Sequence, residues 1–221
     1  MILETADQRS DDWYAARCGK ATASRFKDVM ARKKPTAEQA KKKLPGDPTA
    51  DRQKYLTELV VERLTGQPAT GYENAAMRWG TEQEAAARAA YEQRTGEVVD
   101  ETGFVAHDVL MAGCSPDGLI DWEGLIEIKC PFNSATHIET LLNGMPAEHM
   151  PQIQGQMWIT DREWCDFVSF DPRMPAELQL HIQRIYADPK AIADLALGVS
   201  AFLKEVGAQV EALRRLAESR K

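Results

Sequence analysis

Asp117, Glu127 and Lys129 are the residues best suited to chemistry, because two carboxylates and a cation fall within one short strand-like stretch. Ser115-Pro116-Asp117-Gly118-Leu119-Ile120-Asp121 reads as a strand ending, and Gly124-Leu125-Ile126-Glu127-Ile128-Lys129 reads as its hairpin partner. Side chains alternate faces along a strand, so Ile126 and Ile128 point one way while Glu127 and Lys129 point together the other way. The expectation is a buried apolar face and an open charged one. Asp117 on the neighbouring strand brings its carboxylate across from Glu127, which gives two hard oxygen ligands of the kind Mg²⁺ accepts alongside water. The Lys129 ammonium would orient or help deprotonate a metal-bound water and offset charge on an attacked phosphate. Spacing alone also fits a surface hairpin whose Asp, Glu and Lys are solvated and weakly paired. Pro116, the glycines bracketing the hairpin and the β-branched residues around Glu127 favour a rigid platform instead, which metal chemistry requires.

The elements that must carry this hairpin follow from periodicity and punctuation. Two short helices are expected over residues 10–31, the first opening after the Ser10-Asp11-Asp12 cluster, the second near Thr22-Ala23-Ser24, with Gly19 between them. A helix over 49–64 has Tyr55, Leu59, Val60 and Leu64 at helical spacing and stops at Gly66 and Pro68; another runs over about 75–94 and stops at Gly96. The short runs Val98-Val99, Phe104-Val105-Ala106, Met111-Ala112-Gly113 and Leu125-Ile126-Glu127-Ile128 suggest an antiparallel meander. Helices over 134–142 and 151–160, strands over 165–170 and 178–186, and a last helix over 189–218 complete the chain. That helix carries Leu195, Leu197, Val199, Phe202, Leu203, Val206, Val210, Leu213 and Leu216 as its apolar stripe. With no internal repeat, the pattern predicts one α/β (mixed α+β) domain over 1–221, a central sheet flanked by helices.

The 221 residues are 43% hydrophobic, enough for a continuous core. No run approaches the roughly eighteen apolar residues of a membrane span, and the start, MILETADQRSDD, lacks a signal core, so a cytoplasmic protein is expected. Cys18, Cys114, Cys130 and Cys165 form no C-x-x-C pair and are read as reduced, mostly buried thiols. The net charge of -7 opposes a generic nucleic-acid coat unless basic residues line a channel. Arg32, Lys33, Lys34, Lys41, Lys42 and Lys43 form the one basic stretch, equally readable as a solvated loop or a phosphate-tracking one.

The P-D…E-x-K arrangement is that of the restriction-endonuclease-like nuclease superfamily. Residues 114–119 (CSPDGL) and 125–132 (LIEIKCPF) resemble phage lambda exonuclease and its viral recombinase relatives. Residues 13–24 (WYAARCGKATAS), 79–88 (WGTEQEAAAR), 152–160 (QIQGQMWIT) and 171–174 (DPRM) agree in order and approximate spacing, so the likeness covers about 10–205.

This resemblance implies the restriction-endonuclease-like fold, a central mixed sheet flanked by helices. It implies Asp117, Glu127 and the Ile128 main-chain carbonyl as metal ligands, Lys129 beside the nucleophilic water, and Glu84 helping to hold a second metal or its water. The cofactor would be Mg²⁺, two ions, with Mn²⁺ as a substitute. Arg17, Ser24, Ser115 and Gln152 match the positions that bind a 5′-terminal phosphate, and their donors suit one. Gln152 and Gln154 cannot share a helix face, and Gln152 is favoured for the site. Met77 matches a residue that wedges between strands, although a Met near a helical Trp is commonly core. His107, His137, His149 and His181 are read as structural or exposed. The implied activity is 5′→3′ degradation of one strand of linear duplex DNA, leaving a 3′ overhang for recombination by a phage or prophage enzyme. The implied partners are double-stranded DNA ends, two further copies in a homotrimeric ring, and a single-strand annealing recombinase. An iron–sulfur end-processing nuclease would need clustered cysteines. A non-catalytic DNA-end-binding module would not need the whole charged triplet.

Overall fold

In the computed structural model, which describes residues 2–4, 6–68 and 74–220, strand β1 (Ile2–Glu4) precedes helix α1 (Asp11–Arg17). The Ser10 hydroxyl caps α1 by accepting from the Trp13 N–H. β2 (Ala21–Thr22) leads through a 3-10 turn (Ala23–Arg25) into α2 (Phe26–Met30). Within the basic stretch, Thr36 and Gln39 exchange hydrogen bonds as a capping box and start the short α3 (Ala37–Lys41). Helix α4 (Ala50–Thr65) is capped by Thr49 and α5 (Ala75–Thr95) by Asn74; each ends at a glycine in the left-handed region, Gly66 and Gly96. Then follow β3 (Phe104–Ala106), β4 (Ala112–Cys114), β5 (Gly118–Ile120), β6 (Gly124–Lys129), α6 (Ser134–Asn143), α7 (Met150–Thr160), β7 (Trp164–Phe170), β8 (Leu180–Tyr186) and α8 (Pro189–Glu218).

The strands form two four-stranded sheets, ordered β1-β3-β4-β2 and β5-β6-β7-β8. The expected meander over 98–128 is therefore split. β3 and β4 pair antiparallel, but the next neighbour of β4 is β2, joined in parallel through Ala21↔Ala112. The hairpin β5–β6 belongs to the other sheet, where β6 runs parallel to β7. Residues 115–117 are the crossing between sheets, so Asp117 sits where one sheet hands over to the other.

Helix α7 lies between them, touching β3, β4 and the 3-10 turn on one side, β7 on the other, and α2 and α8 besides. Ile153, Gln154, Gly155, Gln156, Met157, Ile159 and Thr160 are all buried. Gly155 permits this closeness, because a Cβ there would lie 2.4 Å from the Phe26 ring. A first core joins Phe26, Tyr55, Leu56, Leu59, Val199, Phe202 and Val206 from α2, α4 and α8. A second packs Ala87 and Tyr91 of α5 on Ile126, Ile128 and Val168. Each large side chain so buried contributes about 1.5–3 kcal/mol.

Helix α8 buries Leu195, Val199, Phe202, Leu203, Val206 and Val210. Leu197 is 72% exposed, and Leu213 and Leu216 are also exposed. Leu197 lies two residues, about 200° of helix rotation, from Leu195 and faces away. Arg52, buried in α4, donates to both Glu205 oxygens of α8 (2.8 and 2.9 Å) and to the Val29 carbonyl of α2 (3.0 Å), binding three helices together. Of the four free cysteines, Cys114 and Cys165 are buried while Cys18 and Cys130 are partly exposed. Among the described residues no helix is long and apolar enough to cross a membrane.

Candidate active site

The hairpin register pairs Gly118 with Ile126, Leu119 with Leu125 and Ile120 with Gly124. One step further the Asp117 N–H donates to the Ile126 carbonyl (3.2 Å), which sets Asp117 opposite Glu127 as the alternation predicts. Strand β6 continues past the end of β5, and its edge would leave the Ile128 N–H without a partner. The Asp117 carboxylate accepts that N–H at 2.6 Å. Because N–H and carbonyl of one strand residue face the same side, the Ile128 carbonyl is also turned toward Asp117.

Glu127 departs from the expected open face, being only 2% exposed. Helix α7 covers it. Gln152 donates to its Oε1 (2.6 Å), Gln156 to its Oε2 (2.6 Å), and the Lys129 ammonium also bonds Oε1. Burial, then the charge of Glu127 and, more weakly, Glu84, pushes the Asp117 carboxyl well above the usual carboxylate range, against the pull of Lys129 and the Ile128 N–H. Burial tends to lower the Lys129 ammonium, but Glu127 and Asp117 outweigh it and raise it. Lys129 is thus held as a cation, suited to orienting a water or offsetting phosphate charge rather than to taking a proton.

Glu84 of α5 stands behind Asp117, paired to Arg9 (2.7 Å) and Arg88 (3.4 Å). Among the described residues no three Asp, Glu, His or Cys side chains form a ready cation cage. The carboxylates are instead held by N–H groups and cations of the chain itself. The donor set nevertheless fits a hard divalent ion: two facing carboxylates, a third nearby and a main-chain carbonyl, with burial first and the Glu127 charge second lifting the Asp117 carboxyl.

Arg17, Ser24, Ser115 and Gln152 come together around a cavity of about 140 Å³, with Gln8, Arg9, Trp13, Thr22, Ala23 and Gln156 as further walls. The Arg17 guanidinium stacks 3.9 Å above the Trp13 ring. The Trp13 indole N–H donates to the Ser115 hydroxyl (2.9 Å), leaving that hydroxyl's own proton for another acceptor. Ser24 is no helix cap; its hydroxyl lies 3.3 Å from that of Thr22. Burial lowers the Arg17 guanidinium, against the pull of Tyr55, Tyr14 and Glu62. Gln154 turns away, bonding the Tyr186 carbonyl (2.9 Å) and the Asp188 N–H (2.8 Å).

Met77 is not core: it is 52% exposed on the first turn of α5 and lines neither this cavity nor the larger one beside Glu84. Lys33, Lys34, Lys41, Lys42 and Lys43 are exposed and also stand apart from both. His137 is structural, buried between the Ser169 hydroxyl (2.7 Å) and the Leu178 carbonyl (2.8 Å). Sequence reasoning missed Gln156, although its place four residues after Gln152 puts both on one helix face. It also missed Gln8 and Arg9. The Gln8 amide donates to the Thr102 and Pro116 carbonyls (2.9 and 2.8 Å) and fixes the turn before Asp117. The DPRM segment has a structural part: Arg173 clamps Asp171 and donates to the Pro131 and Phe132 carbonyls (both 3.0 Å), holding the loop after β6.

Mixed sheets flanked by helices, with a carboxylate pair and a lysine on one hairpin, define a protein of the restriction-endonuclease-like nuclease class. Residues 12–163 match the YqaJ-like viral recombinase domain, and the chain belongs to that family. The alkaline exonuclease LHK-Exo from Laribacter hongkongensis is 45% identical over 96% of this chain and 100% of its own, with a TM-score of 0.84. In complex with dAMP it matches at 45% identity over the same shares, with a TM-score of 0.85. A phage-related exonuclease from Haemophilus somnus 129PT shares the fold at 18% identity, covering 88% of this chain and 96% of its own with a TM-score of 0.70. No curated protein matches the chain. As a homologue of alkaline exonucleases, the protein is an enzyme, a nuclease acting on DNA.

Proposed function

We propose that the protein is a Mg²⁺-dependent exonuclease that degrades one strand of linear duplex DNA from its 5′ end and leaves a 3′ overhang for annealing-type recombination. One observation carries the polarity: Gln152 lines the Arg17 cavity and also donates to Glu127. An anion-seeking cavity and a carboxylate centre therefore share a wall, so a terminal phosphate in the first lies at a set distance from the second. Asp117, Glu127 and the Ile128 carbonyl would hold Mg²⁺, with Glu84 as a further ligand, and Mn²⁺ would substitute. Bound there, the ion supplies Lewis-acid activation of water and of the phosphodiester. The chain's own part is to orient and neutralise: Lys129 offers its charge to the phosphate, Gln152 and Gln156 fix the Glu127 carboxylate, and Arg17, Ser24 and Ser115 grip the end.

We propose a homotrimer, a ring whose exposed lysines of residues 33–43 would face DNA and so answer the objection raised by the net charge of -7. Its partner would be a single-strand annealing protein of the same phage or prophage, acting in the bacterial cytoplasm. The deciding assay follows digestion of a linear duplex labelled at one 5′ end, with Mg²⁺ or with chelator. Early release of labelled mononucleotide, abolished by chelator, is expected. Release of label only after prolonged digestion would mean attack from the other end. Light scattering should give three times the mass of the chain, and a monomer at micromolar concentration would remove the ring.

A further inference from the structure

Arg9 lies outside the charged triplet, yet it lines both cavities of the site. The larger, about 330 Å³, sets Asp7, Glu84, Glu101 and Asp117 against the two cations Arg9 and Arg88. The smaller carries Arg9 and Arg17 with no acidic side chain in its wall among the described residues. Arg9 thus stands at the boundary between a cation-seeking space and an anion-seeking one. Its backbone is in the left-handed region (φ 73), unusual for a side chain of this size, and the neighbouring Gln8 amide pins that turn to the Pro116 carbonyl. The side chain itself is less confined, 45% exposed and bonded to Glu84 through Nη2. Thr102 and Arg88, which line the larger cavity, each keep a buried polar atom, Oγ1 and Nε, without a hydrogen-bond partner among the described residues. A guanidinium offers several N–H donors, and a phosphate is as good an acceptor for them as a carboxylate.

We propose that Arg9 is an exchange residue. It holds Glu84 Oε2 while the small cavity lacks an anion, turns to a phosphate oxygen when one enters, and so frees that oxygen for a divalent cation while Oε1 stays beside Arg88. This rests on the reading of Glu84 as a metal ligand given above and adds a coupling between the two sites. Coupling of this kind is reciprocal: phosphate tightens the cation and the cation tightens phosphate.

The test reads Mn²⁺ affinity by electron paramagnetic resonance, with and without inorganic phosphate, in the wild type, Arg9→Gly and Arg9→Asn. Gly suits the left-handed backbone, and Asn tolerates it should the first variant fold poorly. In the wild type, phosphate should tighten Mn²⁺ by about two- to fivefold, the upper part of the range for a partly exposed ion pair. Both variants should bind Mn²⁺ tighter without phosphate by a similar factor, and phosphate should then add much less. Direct contact between phosphate and Mn²⁺ would act on all three proteins alike, so the difference between them is the measure. Equal affinities and equal phosphate effects in wild type and variants would overturn the exchange while leaving the metal site standing. No Mn²⁺ binding by the wild type under either condition would overturn both.

Discussion

Replacing Arg17 with Ala removes one of the two full charges, the other being Arg9, that line the small cavity among the described residues, and the size of the loss can be bounded from its surroundings. The guanidinium is stacked on Trp13, lowered by burial, and set among neutral donors from Ser24, Ser115 and Gln152. A charge-assisted contact of this kind is worth about 1.5–3 kcal/mol, or roughly ten- to a hundredfold, against about 0.5–1.5 kcal/mol for a neutral hydroxyl donor. Arg17→Ala should therefore slow digestion of 5′-phosphorylated duplex by about ten- to a hundredfold, towards the rate on 5′-hydroxyl ends, while Ser24→Ala costs about tenfold or less. Arg17→Lys should recover only part of the loss, because an ammonium keeps the charge but loses the planar fork and the stacking. The assay is the ratio of initial rates on the two kinds of end, wild type against variant, at saturating Mg²⁺. If the wild type shows no preference for a 5′ phosphate, or Arg17→Ala leaves that preference intact, the cavity is not a terminal-phosphate site and the polarity loses its physical basis.

Asp117→Ala, Glu127→Ala and Lys129→Ala should each abolish Mg²⁺-dependent cleavage with the circular dichroism spectrum retained; substantial activity in any one would remove it from the chemistry. Gly155→Ala places a methyl in the Phe26 ring, a strain of about 1–3 kcal/mol that the better helix propensity of Ala offsets by up to about 1 kcal/mol. Activity should fall more than the urea midpoint does, since moving α7 also moves Gln152 and Gln156 off Glu127; an unchanged rate would refute this coupling. The Arg173 clamp holds the Asp171 carboxyl down at about 2. Its stabilisation is thus complete above the ordinary carboxylate range near pH 4 and lost as pH falls toward 2, about 1–2 kcal/mol after discounting for the exposed partner. Urea melts of wild type and Asp171→Asn should differ at pH 7, differ by roughly half as much at pH 3 and converge only at about pH 2, and a gap independent of pH would rule the ionised pair out.

What could be read in advance was what local sequence controls. Helix starts at Ser10, Thr49 and Asp188 and the stops at Gly66 and Gly96 follow from cap chemistry within a few residues. The short α3, by contrast, falls in the lysine-rich stretch expected as a loop, although Thr36-x-x-Gln39 there is a capping-box pattern. The division into two sheets was not legible, because it turns on a two-residue strand pairing between positions far apart in the chain, Ala21 with Ala112. Pattern alone also misplaced the polar side of β6. Alternation correctly grouped Glu127 with Lys129, but a strand buried on both faces needs a polar partner for its carboxylate, and α7, polar at Gln152 and Gln156, supplies it. The four residues around the small cavity lie far apart in the chain and could be grouped only through family resemblance.

Because α7 touches both sheets and the start of α8, it has no way to loosen alone. Its backbone amides should exchange with deuterium only when the whole molecule opens, so the Glu127 carboxylate would lose its amide clamp in the same event that ends the fold. The protein would then show no warm, inactive, still-folded state: its heat inactivation and its global melting would trace a single curve.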